Sequence, residues 1–282
     1  MKIPISLNAP VLACGIASLI APNASAVLVN ITPTGFTHDV VYEAGATGNG
    51  NGTFTNESSA LYERGLFPEG TANVGTGLPG NRTITSAVDN ATTFALQPYT
   101  GLNALVVGEG NNLAKFGTWQ FAPSQQLQYT KLSILALSAG GQSNFSMVVF
   151  FTDGTNTSNG IANFENSGRF ARGTFDGQVL PDWFQNGGTS AGAAASGVGR
   201  VDSNNGQSNG GNGVNLQHYN FSLSGFTGKI VDRLEFESTG GNGNNRAFLA
   251  ITGDAVAVPE PSTLGLLGLT TVGVASLRRR RA

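Results

Sequence analysis

The chain has 282 residues, of which only 11% are charged, with a formal net charge of −2, 40 glycines and a single cysteine, Cys14. When Lys2, Glu260 and the four terminal arginines are set aside, the remaining body has a net charge of about −6, which makes it a poor partner for nucleic acid. A mature chain that has lost Cys14 can be neither a disulfide scaffold nor a cysteine-ligated zinc protein.

The first 26 residues have the three parts of a secretory signal peptide. Lys2 gives a positive start, PVLACGIASLIA (residues 10–21) is an apolar stretch, and ASA (residues 24–26) supplies the small residues of a cleavage site. We therefore expect the mature, exported chain to begin at Val27. A lipoprotein cleavage before Cys14 is the alternative, although only a weakly apolar stretch precedes that residue.

Residues 27–257 are predicted to form an antiparallel β-sandwich of jelly-roll or galactose-binding-like type, with long Gly/Asn-rich loops. Apolar and polar residues alternate in HYNFSLSGF (218–226). In NFSMVVFFTDG (144–154), Phe145, Met147, Val149 and Phe151 fall on one face, and the other face is also largely apolar, as in a central strand. About a dozen such segments, separated by Gly, Asn, Asp and Pro, favour a sandwich over a parallel α/β fold. Residues 45–59 and 186–213 lack periodic apolar residues and are predicted to be loops.

Two turns of this body contain a candidate sugar or ion site. In LPDWFQNGG (180–188), the Trp183 ring could stack on a sugar while Asp182 accepts hydrogen bonds from its hydroxyls. In FFTDGT (150–155), the oxygens of Asp153 could ligate calcium. The alternative for both stretches is ordinary structure, because Asp-Gly is a turn signal and a tryptophan can cap a core.

No catalytic residue is predicted. Only His38 and His218 could serve as a histidine base, and the sequence contains no H-E-x-x-H metalloprotease motif and no P-loop. Glycoside hydrolysis needs only two carboxylates, so a secreted glycosidase stays open as a third hypothesis. The available carboxylates are Glu165, Asp176, Asp182, Glu235 and Glu237. Because Glu235 and Glu237 share a polar strand face, we interpret them as solvated, and we expect a non-enzymatic protein with no cofactor beyond a possible structural calcium.

The last segment, residues 258–282, also has three parts. They are Pro259, Glu260 and Pro261, an apolar run (264–277), and the cluster Arg278, Arg279, Arg280 and Arg281. Each proline fixes its own φ and disfavours helix in the preceding residue, so the triplet is predicted to be extended. As a helix the apolar run would measure about 21 Å, a marginal span of a ~30 Å hydrocarbon core. The positive-inside rule then keeps the arginines cytoplasmic and the body outside.

This order of triplet, apolar helix and arginine cluster resembles the PEP-CTERM sorting signal of exported proteins in Gram-negative bacteria that make extracellular polysaccharide. The resemblance implies recognition by an exosortase, a transpeptidase-like membrane enzyme, with cleavage near residues 259–261. It also implies delivery to the cell surface or matrix from an inner-membrane-anchored precursor. The spacing of FFTDGT and LPDWFQNGG is similar to that in PEP-CTERM bodies of uncharacterised function, and more loosely to galactose-binding-like carbohydrate-binding modules.

The resulting hypothesis is an exported structural or adhesive component of exopolysaccharide or biofilm. Its expected partners are signal peptidase and an exosortase during export, then extracellular polysaccharide, and not nucleic acid. A lectin-like module with its site at Asp182 and Trp183 is the alternative.

Overall fold

Strands account for nearly all regular structure of the described residues. The computed structural model describes residues 26–44, 59–69, 71–72, 74–108, 113–158, 175, 178–183, 192–202, 206–207, 213–240 and 245–257. They form β1 (Val27–Ile31), β2 (Val41–Tyr42), β3 (Ser59–Tyr62), β4 (Thr83–Thr85), β5 (Thr93–Ala95), β6 (Leu105–Gly108), β7 (Phe116–Gln120), β8 (Tyr129–Ala139), β9 (Ser143–Phe151), β10 (Gln178–Leu180), β11 (Ala193–Ala195), β12 (Val201–Asp202), β13 (Leu216–Ser222), β14 (Val231–Gly240) and β15 (Asn245–Ala255). Short 3-10 turns lie at Pro123–Gln125 and Ser224–Phe226. The predicted all-β class is confirmed.

The central sheet is built around the two longest strands, β8 and β15, which pair antiparallel along their whole length. On the far side of β15, β1 pairs with one half of the strand and β6 with the other. On the far side of β8 follow β13 and then β11. Both long strands are buried almost throughout, because this sheet is covered on each face.

A second sheet, in the order β10-β9-β14-β7, packs on one face of the central sheet. The core between them is rich in aromatic rings, and the rings of Phe236 and Phe248 stack with centroids 4.2 Å apart. Trp119 meets Phe236 edge-on at 5.3 Å, a favoured aromatic geometry. The alternation read in NFSMVVFFTDG is confirmed, since Phe145, Met147, Val149 and Phe151 all point into this sandwich core.

The opposite face of the central sheet has its own core, which makes the body thicker than the two-sheet sandwich that the sequence predicted. Leu135, Leu137 and Leu249 on this face pack against a third layer. That layer comprises the small sheet β12-β3-β2, in which β2 and β3 are parallel, and the hairpin β4-β5. The third layer buries the second apolar face of β8 and β15, which would otherwise be in water.

Part of the predicted loop 186–213 is strand, and this corrects the sequence interpretation. Two short strands lie there: β11 pairs with β13, and β12 pairs with β3. Ala194 and Val201 are buried although their neighbours in sequence show no apolar periodicity. Strands of two or three residues are held by tertiary pairing, so a local pattern cannot reveal them. Residues 45–58 of the other predicted loop lie outside the described residues.

Ala26–Ala257 form one compact unit. Residues 1–25 of the predicted signal peptide, and residues 258–282 with the predicted C-terminal helix, lie outside the described residues. Within the described residues, no helix has the length and apolar character needed to cross a membrane.

Candidate functional site

Asp153 lies in the turn that follows β9, and protein donors engage both of its carboxylate oxygens. The Thr155 backbone N–H donates to Oδ1 at 3.0 Å, and the Thr155 hydroxyl donates to the same atom at 2.6 Å. Lys229 forms an ion pair with Oδ2. The hydrogen bond from Lys229, followed by those from Thr155, lowers the pKa of Asp153 to about 2, so the side chain stays ionised. The geometry is that of an Asx turn closed by an ion pair.

The structure corrects the predicted role of Trp183, because its ring is fully buried (0% exposed) in the core beneath the third layer. Its backbone is held there as well: the Trp183 N–H donates to the Ser138 carbonyl at 2.8 Å, and its carbonyl accepts from Asn215 N–H at 3.3 Å. Stacking on a sugar requires an exposed ring face. In this conformation the tryptophan is therefore a core residue. Asp182 beside it is half-buried, and its backbone forms an isolated parallel β-bridge with Ser138.

Asp153 and Asp182 are not brought together. Asp182 follows β10, whose Leu180 lies opposite Ser143 at the start of β9, whereas Asp153 follows the end of β9. A strand rises about 3.3 Å per residue, so the nine residues of β9 separate the two carboxylates by roughly 30 Å. Asp153 therefore lies at a different place from the adjacent residues Asp182 and Trp183.

Each of the two glutamates of β14 forms an ion pair with a basic side chain. Glu237 is only 2% exposed and lies 3.5 Å from Lys115, which corrects its interpretation as a solvated residue. Glu235 accepts from the Arg233 Nε–H at 2.9 Å, and the Arg233 guanidinium covers the Phe150 ring at 3.9 Å. The remaining predicted carboxylates, at positions 165 and 176, lie outside the described residues.

His218 occupies a buried polar network between the central sheet and the β4-β5 hairpin. Its Nδ1 lies 2.8 Å from the Ser86 hydroxyl and its Nε2 lies 3.0 Å from the Asn220 amide oxygen. The order Ser-His-Asn has the connectivity of a nucleophile system, but Ser86 is 0% exposed, so no substrate atom can reach it in this conformation. Burial lowers the pKa of His218 and keeps the ring neutral. The network fastens the hairpin to β13.

The described residues contain no group of three or more His, Cys, Asp or Glu side chains placed to hold a metal ion. Structural calcium stays a prediction.

A groove of 490 Å³ opens at the edge of the third layer, and the sequence did not indicate it. Its rim is formed by exposed polar side chains and its floor by buried apolar ones. The rim residues are Arg64, Thr76, Asn81, Thr83, Thr85 and Ser196, and the floor includes Leu78, Ile84 and Val198. Three stretches distant in sequence supply these residues, so no local motif could have identified them.

The sorting segment begins where the last strand ends. β15 finishes at Ala255, and the Val256 N–H still donates to the Gln128 carbonyl at 2.9 Å. A family model, the PEP-CTERM protein-sorting motif, matches residues 257–281. That segment contains Pro259, Glu260, Pro261 and the four arginines, all outside the described residues. The motif indicates an exported protein that an exosortase processes through its C-terminal signal.

No curated protein and no solved structure matches the chain. The predicted likeness of the body to other PEP-CTERM bodies and to galactose-binding-like modules therefore receives no support from relatives.

Proposed function

We propose that the protein is exported, processed by an exosortase, and retained at the cell surface or in the extracellular matrix as a non-enzymatic structural or adhesive component of exopolysaccharide or biofilm. The jelly-roll or galactose-binding-like type of the sandwich is part of this proposal. The observation that carries it is the position of the motif, which matches from residue 257, two residues after β15 ends.

Cleavage near residues 259–261 would leave every strand of the described body intact. β15 is an internal strand of the central sheet, flanked by β8 on one side and by β1 and β6 on the other. Its last residue, Ala255, pairs with both Val27 and Tyr129. A cut a few residues later falls beyond the last described strand, so all the described pairings of β15 lie on the N-terminal side of it.

The body is suited to a passive role outside the cell. Its stability rests on two apolar cores on the faces of one central sheet. Because Cys14 is the single cysteine of the sequence, a mature chain starting at Val27 would have no thiol or disulfide to be altered by the redox state of its surroundings.

The proposal is tested by the intact mass of the protein recovered from the envelope and the medium of its host. We expect a product that ends near residues 259–261, and a longer chain in a strain without the exosortase. Replacing Pro259, Glu260 and Pro261 together by alanine should leave the chain uncleaved, whereas the matched control Ser262→Ala should be processed normally. A mass that extends to Ala282 in both strains would refute processing by the exosortase.

The non-enzymatic part of the proposal has a separate test. The processed protein is incubated with the host's polysaccharide, and the appearance of reducing ends is measured. We expect none above the level of a heat-denatured sample. Release of reducing ends that disappears in Glu235→Gln or Glu237→Gln would instead establish the glycosidase hypothesis.

A carbohydrate-binding role is the second candidate function. The observation that favours it is the groove at the edge of the third layer. The groove replaces the site predicted at Trp183 and Asp153, because the first is buried and the second is paired with Lys229.

A further inference from the structure

The walls of the groove are fixed by the backbone. The Thr76 N–H donates to the Gly197 carbonyl at 2.9 Å, and the Gly77 N–H donates to the Val198 carbonyl at 2.8 Å. Gly77 has a φ of 71°, and a Cβ at this position would come within 2.8 Å of the Arg64 backbone nitrogen. The backbone at position 77 can therefore lie this close to Arg64 only with glycine there. The cavity is preformed, which reduces the entropy that a ligand must lose on binding.

The floor and the rim of the groove have different chemistry. Ile84 points into the core beneath the third layer, and the alternation of a strand turns its neighbours Thr83 and Thr85 the opposite way, where both are exposed. Leu78 and Val198 lie beneath the groove and are only 1% and 3% exposed, so the surface that a ligand meets is mainly polar. The volume of 490 Å³ lies within the usual range of roughly 300–1,000 Å³ for ligand sites.

Several rim groups are available for hydrogen bonds. The Asn81 Oδ1 accepts from the Thr83 N–H at 3.1 Å, which orients the amide and leaves its NH₂ group without a protein acceptor among the described residues. No residue in the described part of the chain forms a hydrogen bond with the hydroxyl of Thr85 or of Ser196. Hydroxyls and amides on a fixed frame match a polyhydroxylated ligand.

Arg64 gives the groove its charge. Its Nε–H donates to the Thr76 carbonyl at 3.3 Å, and the guanidinium has no ion pair within the described residues. None of the described residues that line the groove is acidic, and the nearest carboxylate atom recorded is Glu63 Oε1, 3.9 Å from the position of a Cβ on Gly80. The neighbouring Glu63 uses its Oε2 to accept the Ala44 N–H at 3.2 Å. The two terminal nitrogens of Arg64 can therefore hold a carboxylate with the two-pronged geometry that arginine favours.

We infer that this groove binds an acidic saccharide. Arg64 holds a sugar carboxylate, while Asn81, Thr83, Thr85 and Ser196 bind the ring hydroxyls. The assignment deepens the proposed function and rests on it for the setting in which the protein meets such a polymer. It places the carbohydrate site away from both Asp153 and Trp183.

The test uses the full-length protein and short oligomers of galacturonate, glucuronate and mannuronate, with binding followed by isothermal titration calorimetry. The matched neutral probe is the methyl ester of each oligomer, which keeps the hydroxyls and removes the charge. We expect at least one acidic oligomer to bind, its ester to bind at least about tenfold more weakly, and Arg64→Gln to cause a similar loss.

The control variant is Arg82→Gln, which removes the same charge from an exposed neighbour that does not line the groove. It should bind the acidic oligomer within about twofold of the wild type, because the Arg82 side chain does not line the groove and its exposed charge is partly screened by salt. Far-UV circular dichroism and the unfolding midpoint confirm that both variants are folded.

Absence of binding to all three acidic oligomers would overturn the inference. Equal binding of the acid and its ester, or equal losses in the two arginine variants, would also overturn it. These outcomes are independent of the mass measurement. Cleavage without binding would leave the sorting proposal standing, and binding without cleavage would leave the groove standing.

Discussion

Replacing Trp183 by alanine distinguishes a core residue from a ligand residue, because the two roles predict opposite results. The ring is 0% exposed in the core between the central sheet and the third layer. Truncation of a buried tryptophan to alanine costs about 3–5 kcal/mol in unfolding free energy, from the lost burial and from the cavity left behind. For a domain of about this size, 1 kcal/mol corresponds to roughly 2–4 °C in Tm, so we expect the Tm to fall by roughly 6–20 °C.

The assay is urea unfolding followed by far-UV circular dichroism, since removing a tryptophan would change a fluorescence signal directly. Val179→Ala is the matched control: Val179 lies in the adjacent β10 and is 49% exposed, so its truncation should change the free energy by no more than about 0.5 kcal/mol. The Trp183→Ala variant and the wild type should bind acidic oligomers with equal affinity at temperatures where both are folded.

A loss of less than about 1 kcal/mol in the Trp183→Ala variant, together with a loss of saccharide binding, would refute this reasoning. It would show that the ring is not held in the core in solution and that it meets the ligand.

Three further predictions concern pH, the groove wall and the interior. Burial lowers the pKa of both His218 and His38 below 6.5, so the unfolded chain binds more protons than the folded one. Their contribution to stability is complete above pH 6.5 and is lost as the pH falls through the lowered pKa values. In His218→Gln, the midpoint of urea unfolding should therefore fall less steeply with decreasing pH. Gly77→Ala should lower the Tm more than Gly101→Ala, because both glycines have a positive φ but a Cβ at position 101 meets nothing within 4 Å. Equal losses of Tm would contradict the steric account of the groove wall. Asn103→Ala should cost about 1–3 kcal/mol, because the buried amide accepts from the Val40 N–H at 2.8 Å and donates to the Tyr99 carbonyl at 3.0 Å, and an unchanged unfolding free energy would show that water replaces it.

The strand interpretation succeeded where apolar residues alternate over many positions. In β9 and β13 the side-chain period of two is set by local backbone geometry, and Phe145 and Phe221 lie in the sandwich core as the pattern indicated. It failed in 186–213, where β11 and β12 have only three and two residues. Their strand conformation depends on β13 and β3, which are distant in sequence.

The candidate site could be predicted only in part, for a related reason. An Asp-Gly turn at Asp153 is a local property, and the structure has a turn there. Whether Trp183 is available to a sugar depends on what lies over its ring, and the second core that buries it is assembled from the third layer and the central sheet. Likewise, Glu237 appeared solvated from its polar neighbours, yet it is buried beside Lys115.

The sequence by itself determined the all-β class and the sorting segment at 257–281, because periodicity and a linear motif are both read from neighbouring residues. Only the tertiary structure decided that the central sheet is buried on two faces, that Trp183 belongs to the core and that Arg64 shares a groove with Asn81 and Ser196. These outcomes depend on contacts between segments far apart in the chain. Such contacts follow from how the layers pack to remove apolar surface from water, and no short stretch of sequence contains that information.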